Sequence, residues 1–344
     1  MKIVFTPHVE HYTVGLLREI SKFIDIAVIS ERKYKIHGVK YVILPKKSLP
    51  FINTFLRNIF LKKSLSYLKY DLFHANSAID CFSVSERSNV LLTEHGWPDI
   101  WVENFTRKPY YIKEARCLIE LNELGVPIIT ISKFSEKMLR EYFDIKVFRV
   151  IYHGLLDEFK VNIPRFPRKT HVILWVGRLV PAKEPEVFIK ALSLIKNKIQ
   201  FKAIIRGEGP LKHKILKLIK KMSLEKQVFF AKRIPFFDLP KLYKCATLYV
   251  HTASREPFGF SVLEAMGAGL PVIVTKSGGA FEVAGSSAVV FNPGDSTDLA
   301  EKIMSLIDDE NEYYKQSERS INRAKCFSWI KTAKEYLDVY KKIL

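Results

Sequence analysis

Cysteine is scarce in this chain: Cys81, Cys117, Cys245 and Cys326 are the only four in 344 residues, and they lie far apart. No CxxC pair occurs, so neither a zinc site nor a disulfide framework is indicated. Acidic residues are short as well. Against 55 Lys and Arg stand 36 Asp and Glu, leaving a formal charge of +19. No uninterrupted apolar run approaches the roughly 18 residues that a spanning helix needs. Met1 to Thr6, then Pro7, reads as a buried strand without a signal peptide's charged n-region and cleavage site. These absences predict a cytoplasmic protein. GxGxxG, GxxxxGKS/T and GxSxG are missing too, which disfavours dehydrogenase, P-loop NTPase and α/β-hydrolase readings.

What is present is ordinary globular composition, 48% hydrophobic and 26% charged. At about 150 residues per domain the length suggests two domains, each with its own core. The positive excess predicts acidic partners: phosphorylated ligands, nucleic acid or an anionic membrane. Short apolar strands are expected at Lys2–Phe5, Ile24–Ile29, Lys40–Leu44, Asp71–His74, Asn89–Thr93, Pro127–Ser132 and Phe148–Tyr152. Helical patterns separate most of them, notably Thr13–Phe23, Lys113–Gly125 and Phe134–Phe143. A Pro-rich basic stretch interrupts the pattern, and a linker is placed near residues 155–169. The alternation restarts with strands at His171–Val176, Phe201–Ile205, Gln227–Phe230, Leu248–His251, Pro271–Thr275 and Ala288–Phe291. Strands alternating with helices argue for parallel sheets, here two doubly wound α/β domains.

In such sheets ligands bind beyond the carboxyl ends of the strands. Five post-strand loops carry the chemistry. In Arg255-Glu-Pro-Phe-Gly-Phe-Ser-Val-Leu-Glu264, a loop carries Glu256 and a short helix from about Phe260 to Met266 carries Glu264. Two carboxylates so spaced can accept hydrogen bonds from different hydroxyls of a sugar-containing ligand. Backbone N–H groups of Phe258, Gly259, Phe260 and Ser261 would stand at a helix N-terminus and suit an anion, with Gly259 permitting close approach. Gly177-Arg-Leu-Val-Pro-Ala-Lys183 sets Arg178 and Lys183 on a strand-to-helix connection, an arrangement that can clamp a diphosphate. Gly207-Glu-Gly-Pro210 and Ser277-Gly-Gly-Ala-Phe-Glu282 are further turns, each a mere connector when read alone. In the first half Thr93-Glu-His-Gly-Trp97 follows a strand, and His74 ends another.

Together these loops resemble glycosyltransferase family 4, retaining enzymes of the GT-B fold that use nucleotide sugars. Glu256 to Glu264, the following Ala-Met-Gly-Ala-Gly-Leu-Pro-Val-Ile-Val-Thr275 and Gly278-Gly-Ala-Phe-Glu282 are similar to its nucleotide-sugar signature. Val176 to Lys183 resembles its diphosphate loop, Gly207 to Pro210 its next turn, and Val228 to Tyr243 the stretch near the base, which brings in Arg233. Thr93-Glu-His95 resembles the part whose His faces the donor sugar. Phe327 to Tyr340 is similar to the C-terminal helix that crosses back to the first domain. The implied architecture is an acceptor-binding Rossmann-like domain over 1–155, a donor domain over 156–326 facing it across a cleft, and a crossing helix over 327–344. Departures occur. The loop after the first strand reads Pro7-His-Val-Glu-His-Tyr-Thr13 where the family commonly has Gly-Gly, so His8 and His11 join His74 and Glu94 as acceptor-side candidates. The usual Lys-Gly pair is Lys183-Glu184, and Lys232 replaces a glycine near the base.

The resemblance implies glycosyl transfer from a nucleoside diphosphate sugar to a hydroxyl of a glycan or a lipid-linked acceptor. Arg178, Lys183 and the helix N-terminus would stabilise the leaving diphosphate. Glu264 would hold the ribose, Glu256 the donor sugar, and His95 would position that sugar without transferring a proton. No metal or other cofactor is expected, and no nucleic acid. Rival readings are a nucleotide-sugar epimerase or phosphorylase, and a non-enzymatic nucleic-acid binder motivated by the charge. Finally, residues 32–70 contain ten Lys and Arg and no acid. Leu49, Ile52, Phe55, Leu56, Ile59 and Phe60 recur there at helical spacing, interleaved with Arg57, Lys62 and Lys63. That pattern fits a basic amphipathic helix on the inner face of an anionic membrane, contacting it through residues 45–70, or one whose apolar stripe packs on the first sheet.

Overall fold

Apolar runs bounded by turns become strands, and the amphipathic stretches between them become covering helices, giving two compact units. The computed structural model describes residues 1–7, 10–31, 33–44, 52–86, 89–99, 108–160, 166–167, 170–232 and 234–344. Unit 1 comprises Met1–Gly154 with Phe327–Leu344, and unit 2 comprises Leu155–Cys326.

Unit 1 runs β1 (Lys2–Phe5), α1 (Glu10–Ile20), β2 (Asp25–Ser30), β3 (Val39–Ile43), α2 (Ile52–Tyr67), β4 (Leu72–Ala75), α3 (Ala78–Phe82), β5 (Val90–Glu94), α4 (Lys108–Glu123), β6 (Ile128–Thr130), α5 (Lys133–Phe143) and β7 (Arg149–Val150). Its sheet has the order β3-β2-β1-β4-β5-β6-β7, and its strand pairs are parallel. Val4, Phe73, Leu92, Leu118 and Leu121 lie in its core. Helix α1 begins three residues before the sequence suggested, and Ser21 to Phe23 form a turn instead.

Helix α2 bears on part of the expected apolar stripe. Among its described side chains Leu61 and Leu65, one turn apart, pack into the core, whereas Ile59 and Phe60 are 46% and 40% exposed; Leu49 and the side chains of Ile52, Phe55, Leu56 and Arg57 lie outside the described residues. A helix surface spaced by four buries one face only, and Ile59 and Phe60 fall outside it. A groove of about 750 Å³ runs between α2, α3 and α4, lined by Ile59, Lys62, Phe82, Lys113, Cys117 and Leu124 among others. None of the candidate site residues lines it.

Unit 2 runs β8 (His171–Val176), α6 (Pro185–Ile195), β9 (Phe201–Arg206), α7 (Lys212–Lys221), β10 (Val228–Phe230), α8 (Leu239–Lys244), β11 (Leu248–His251), α9 (Phe260–Gly267), β12 (Val272–Thr275), α10 (Gly278–Ala284), β13 (Val289–Phe291), α11 (Ser296–Asp308) and α12 (Glu310–Ala324). The strand order is β10-β9-β8-β11-β12-β13, again with parallel pairing. Part of the Pro-rich stretch packs here too, with Phe166 against His171 and Tyr313 at 5.5 and 5.0 Å between ring centroids.

The last helix, α13 (Trp329–Ile343), packs on α1 within unit 1. It can do so because two residues there lack a side chain. A Cβ on Gly15 would lie 2.1 Å from the Trp329 ring, and one on Gly154 would lie 2.2 Å from the Trp329 backbone nitrogen. Gly15, in the middle of α1, is therefore a packing residue for α13.

Candidate functional site

In a doubly wound sheet the crevice opens where the strand order reverses. In unit 2 that point lies between β8 and β11. The loops leaving those two strands carry Lys183 and Glu256, and the structure brings the pair together.

Lys183 Nζ forms an ion pair with Glu256 Oε2, both side chains being about 15% exposed. His251, the last residue of β11, sets its Nε2 3.4 Å from the same oxygen. Burial by itself would raise the Glu256 carboxyl, but the Lys183 charge and His251 outweigh it and hold the group well below the usual carboxylate range. Glu256 is thus a fixed anion. The Lys183 backbone is fixed as well: Trp175 Nε1 donates to Thr252 Oγ1 at 3.0 Å, and that hydroxyl donates to the Lys183 carbonyl at 2.7 Å. Glu184 then turns the chain with φ +49°, the left-handed region that glycine favours. Its carboxylate accepts from the Ser254 N–H at 3.0 Å, latching the two loops to each other. The departure from a Lys-Gly pair is thereby explained: glutamate trades backbone strain for that latch.

Helix α9 starts at Phe260 after Gly259, whose φ is +96°. A Cβ there would also meet the Ala280 Cβ at 2.8 Å, so the close approach that demands glycine is to α10. Val262 and Leu263 make the first bonds of the helix, both to the Gly259 carbonyl, leaving the earlier N–H groups outside its ladder. Phe258 is buried, so its ring belongs to the core; Phe260 packs beside it at 5.2 Å. Ser261 Oγ accepts from the Tyr249 hydroxyl at 2.8 Å. Glu264 is buried and accepts from the Tyr243 hydroxyl at 2.6 Å. Gly207 faces Gly177 so closely that a Cβ would lie 1.9 Å from its carbonyl oxygen. Arg178 is exposed on its loop. Arg233 lies outside the described residues. Tyr243, Tyr249 and His251 escaped the sequence reading; Tyr249 and His251 alternate on β11 just ahead of the loop, a position that could have flagged them.

Unit 1 holds a separate cluster at its own strand ends. His95 Nε2 lies 2.8 Å from Asn76 Oδ1, and the Asn76 amide nitrogen donates to the Thr6 carbonyl. Since that carbonyl can only accept, the Asn76 oxygen must face His95, and Nε2 is the protonated ring nitrogen. Tyr12 stands edge-on to His95 at 4.4 Å, and His153 stacks on it at 5.3 Å. Glu94 is partly buried; desolvation first, then the nearby Glu114, push its carboxyl well above the usual carboxylate range. His11 is buried near Trp329, 6.1 Å between rings. His8 lies outside the described residues.

His74 must be corrected. It is fully buried, with Nδ1 2.7 Å from the Tyr340 hydroxyl and Nε2 2.7 Å from Thr93 Oγ1. Both nitrogens are engaged, and burial lowers its pKa to about 3. It is a neutral core residue that ties β4 to β5 and α13, with no hydrogen bond left for an acceptor.

With this geometry in hand, residues 157–325 match the model of the family "Glycosyl transferases group 1". That match lies within unit 2 and spans just under half of the chain. An uncharacterized glycosyltransferase of Methanocaldococcus jannaschii is 31% identical over 236 residues, covering 62% of this chain and 59% of the relative's length. Among solved structures, sucrose-phosphate synthase from Thermosynechococcus elongatus superposes with a TM-score of 0.85 at 18% identity, over 99% of this chain and 98% of that one. Anabaena HepE in complex with UDP-glucose gives 0.79 at 19% identity, over 99% and 100%. The fold is GT-B. The epimerase and nucleic-acid readings find no support among these relatives.

Proposed function

We propose that this glycosyltransferase moves a sugar from a nucleoside diphosphate sugar to a hydroxyl of a glycan or lipid-linked acceptor, with retention of configuration and without a metal ion. The observation that carries the reading is the fixed Lys183–Glu256–His251 group beside the N-terminus of α9, at the switch point of a parallel sheet. Similarity to HepE, whose structure holds UDP-glucose, supports a nucleotide-sugar donor.

The chemistry follows from the groups present. As the anomeric C–O bond breaks, its electron pair passes to the diphosphate oxygen. Lys183 spends one N–H on Glu256 and keeps two donors for that oxygen's growing charge, with Arg178 and the N–H groups before Val262 beside it. Lys183 and His251 both approach Glu256 Oε2, so Oε1 is the oxygen offered to a sugar hydroxyl. Glu264 would accept from the ribose while keeping its bond to Tyr243. The acceptor hydroxyl attacks on the face the diphosphate leaves, handing its proton to the departing oxygen. In unit 1, His95 would orient the sugar.

A panel of nucleotide sugars, with products weighed by mass spectrometry, tests the activity. Glu264→Gln keeps the shape and the Tyr243 contact but removes the charge, and charge-assisted bonds are worth roughly 1.5–3 kcal/mol. Nucleotide affinity by calorimetry should fall about 10- to 100-fold with the fold intact. Unchanged affinity would remove Glu264 from the site.

The exposed Ile59 and Phe60, next to Lys62 and Lys63, favour the membrane reading of α2 over full packing on the sheet. Lys46 and Lys47, also part of that segment, lie outside the described residues. Such a contact would bring a lipid-linked acceptor to the enzyme at the inner membrane face; among the described residues no helix is long and apolar enough to cross a membrane.

A further inference from the structure

More than half of the chain's charge excess sits in one stretch of unit 2. Residues 196–244 contain fourteen Lys and Arg against three Asp and Glu, +11 of the total +19. Two of those acids are neutralised locally, Glu208 by Lys212 at 2.8 Å and Asp238 by Lys241 at 2.6 Å. The stretch forms α7 and the edge of the sheet, β9 and β10.

Helix α7 separates its faces cleanly. Ile215 and Ile219 enter the core, while His213, Lys214, Leu216, Lys217, Lys220 and Lys221 are exposed. Lys214 pairs with Glu186 at 3.0 Å. Among the described residues, no carboxylate lies within ion-pair distance of Lys217, Lys220 or Lys221, so three uncompensated cations crowd one short helix face. Mutual repulsion of this kind destabilises a helix unless a counter-charge arrives from outside. Three large apolar side chains are exposed in the same stretch, Leu216 at 45% on α7, Phe229 at 44% on the edge strand β10 and Phe237 at 48% just before α8.

We infer that α7 and the edge it feeds form a contact surface for an anionic membrane, separate from the one proposed on α2. Charge alone would fit any polyanion. The exposed Leu216 decides for lipid: an aromatic ring such as Phe229 can also stack a nucleobase, whereas an aliphatic side chain gains from a headgroup boundary that buries it. The surface has no role in the donor chemistry, so it stands whether or not α2 touches membrane.

Co-sedimentation of the full chain with phosphatidylcholine vesicles, with and without phosphatidylglycerol, tests the inference. Three proteins are compared: wild type, Lys217→Gln/Lys220→Gln/Lys221→Gln, and Lys62→Gln/Lys63→Gln. Each basic residue near such a surface is worth about fivefold, so the α7 triple should lose about tenfold or more in affinity for anionic vesicles. Its nucleotide affinity should stay that of wild type, and its thermal midpoint should not fall, since removing like charges relieves the repulsion on α7. Leu216→Ser should weaken binding several-fold without changing its salt dependence. Anionic-vesicle binding that survives in the α7 triple overturns the inference, even if the α2 pair abolishes it. A single-stranded RNA homopolymer held more tightly than anionic vesicles at the same salt overturns it too, in favour of a nucleic-acid surface. Loss in the α2 pair alone would leave the acceptor reading intact and remove only the α7 contact.

Discussion

His74 and His95 look alike in the sequence, each at the carboxyl end of a strand in the first half of the chain. Their partners separate them. Tyr340 and Thr93 take both nitrogens of His74, and Tyr340 arrives from 266 residues away, which no local pattern announces. His95 instead has its Nε2–H spent on Asn76, so in the neutral ring Nδ1 carries the lone pair. Asn76 is therefore a positioning residue for whatever His95 orients. Asn76→Ala should lower kcat by about 10- to 100-fold, the scale of a misplaced group, with the donor KM little changed. Nitrogen NMR of the His95 ring checks the tautomer independently of activity: Nε2–H in wild type, and a mixture in Asn76→Ala. An Nδ1–H ring in wild type would refute the assignment.

At the scale of elements, all the strands were legible, because short apolar runs bounded by turns have one good solution in a sheet buried on both faces. Boundaries shifted by a residue or two. The donor loops were legible as well, since Glu256, Lys183 and Glu264 stand next to strand ends and helix starts. Their mutual contacts were not. The Lys183–Glu256 pair spans 73 positions, and the Glu184–Ser254 latch spans 70. Helix α2 was left open for a different reason: with apolar residues on several sides, spacing alone could not say which of them face the core. Gly15, within α1, marks the seat of Trp329. Gly15→Ala should destabilise unit 1 by about 1–3 kcal/mol, the usual cost of overpacking. Trp329→Leu in the same chain should recover part of that loss, since the two sites share one space. Additive losses in urea unfolding would show that the ring and the glycine do not compete.

On the scale of the whole molecule, the chain builds two cores and closes the first with its last helix. Helix α13 supplies Trp329, Tyr336, Val339 and Tyr340 as buried side chains, and Thr332 donates to the Tyr152 carbonyl at 2.7 Å. Without it, His74 Nδ1 and the Thr93 hydroxyl lose Tyr340 and Tyr336 while remaining part of the core. Stranded polar groups of that kind cost about 1–3 kcal/mol each, and the apolar loss adds to them. Unit 2 holds its own core and every residue assigned above to the nucleotide and its diphosphate. Deleting residues 327–344 should therefore unfold unit 1 while unit 2 keeps a separate cooperative transition, with the two distinguished peptide by peptide in hydrogen exchange. A nucleoside diphosphate should still protect unit 2 in the truncated chain, by about 2.7 kcal/mol at a hundred times its dissociation constant. Protection confined to peptides of unit 1, or lost with the truncation, would mean that the donor is held elsewhere than by the Lys183–Glu256 loops and α9.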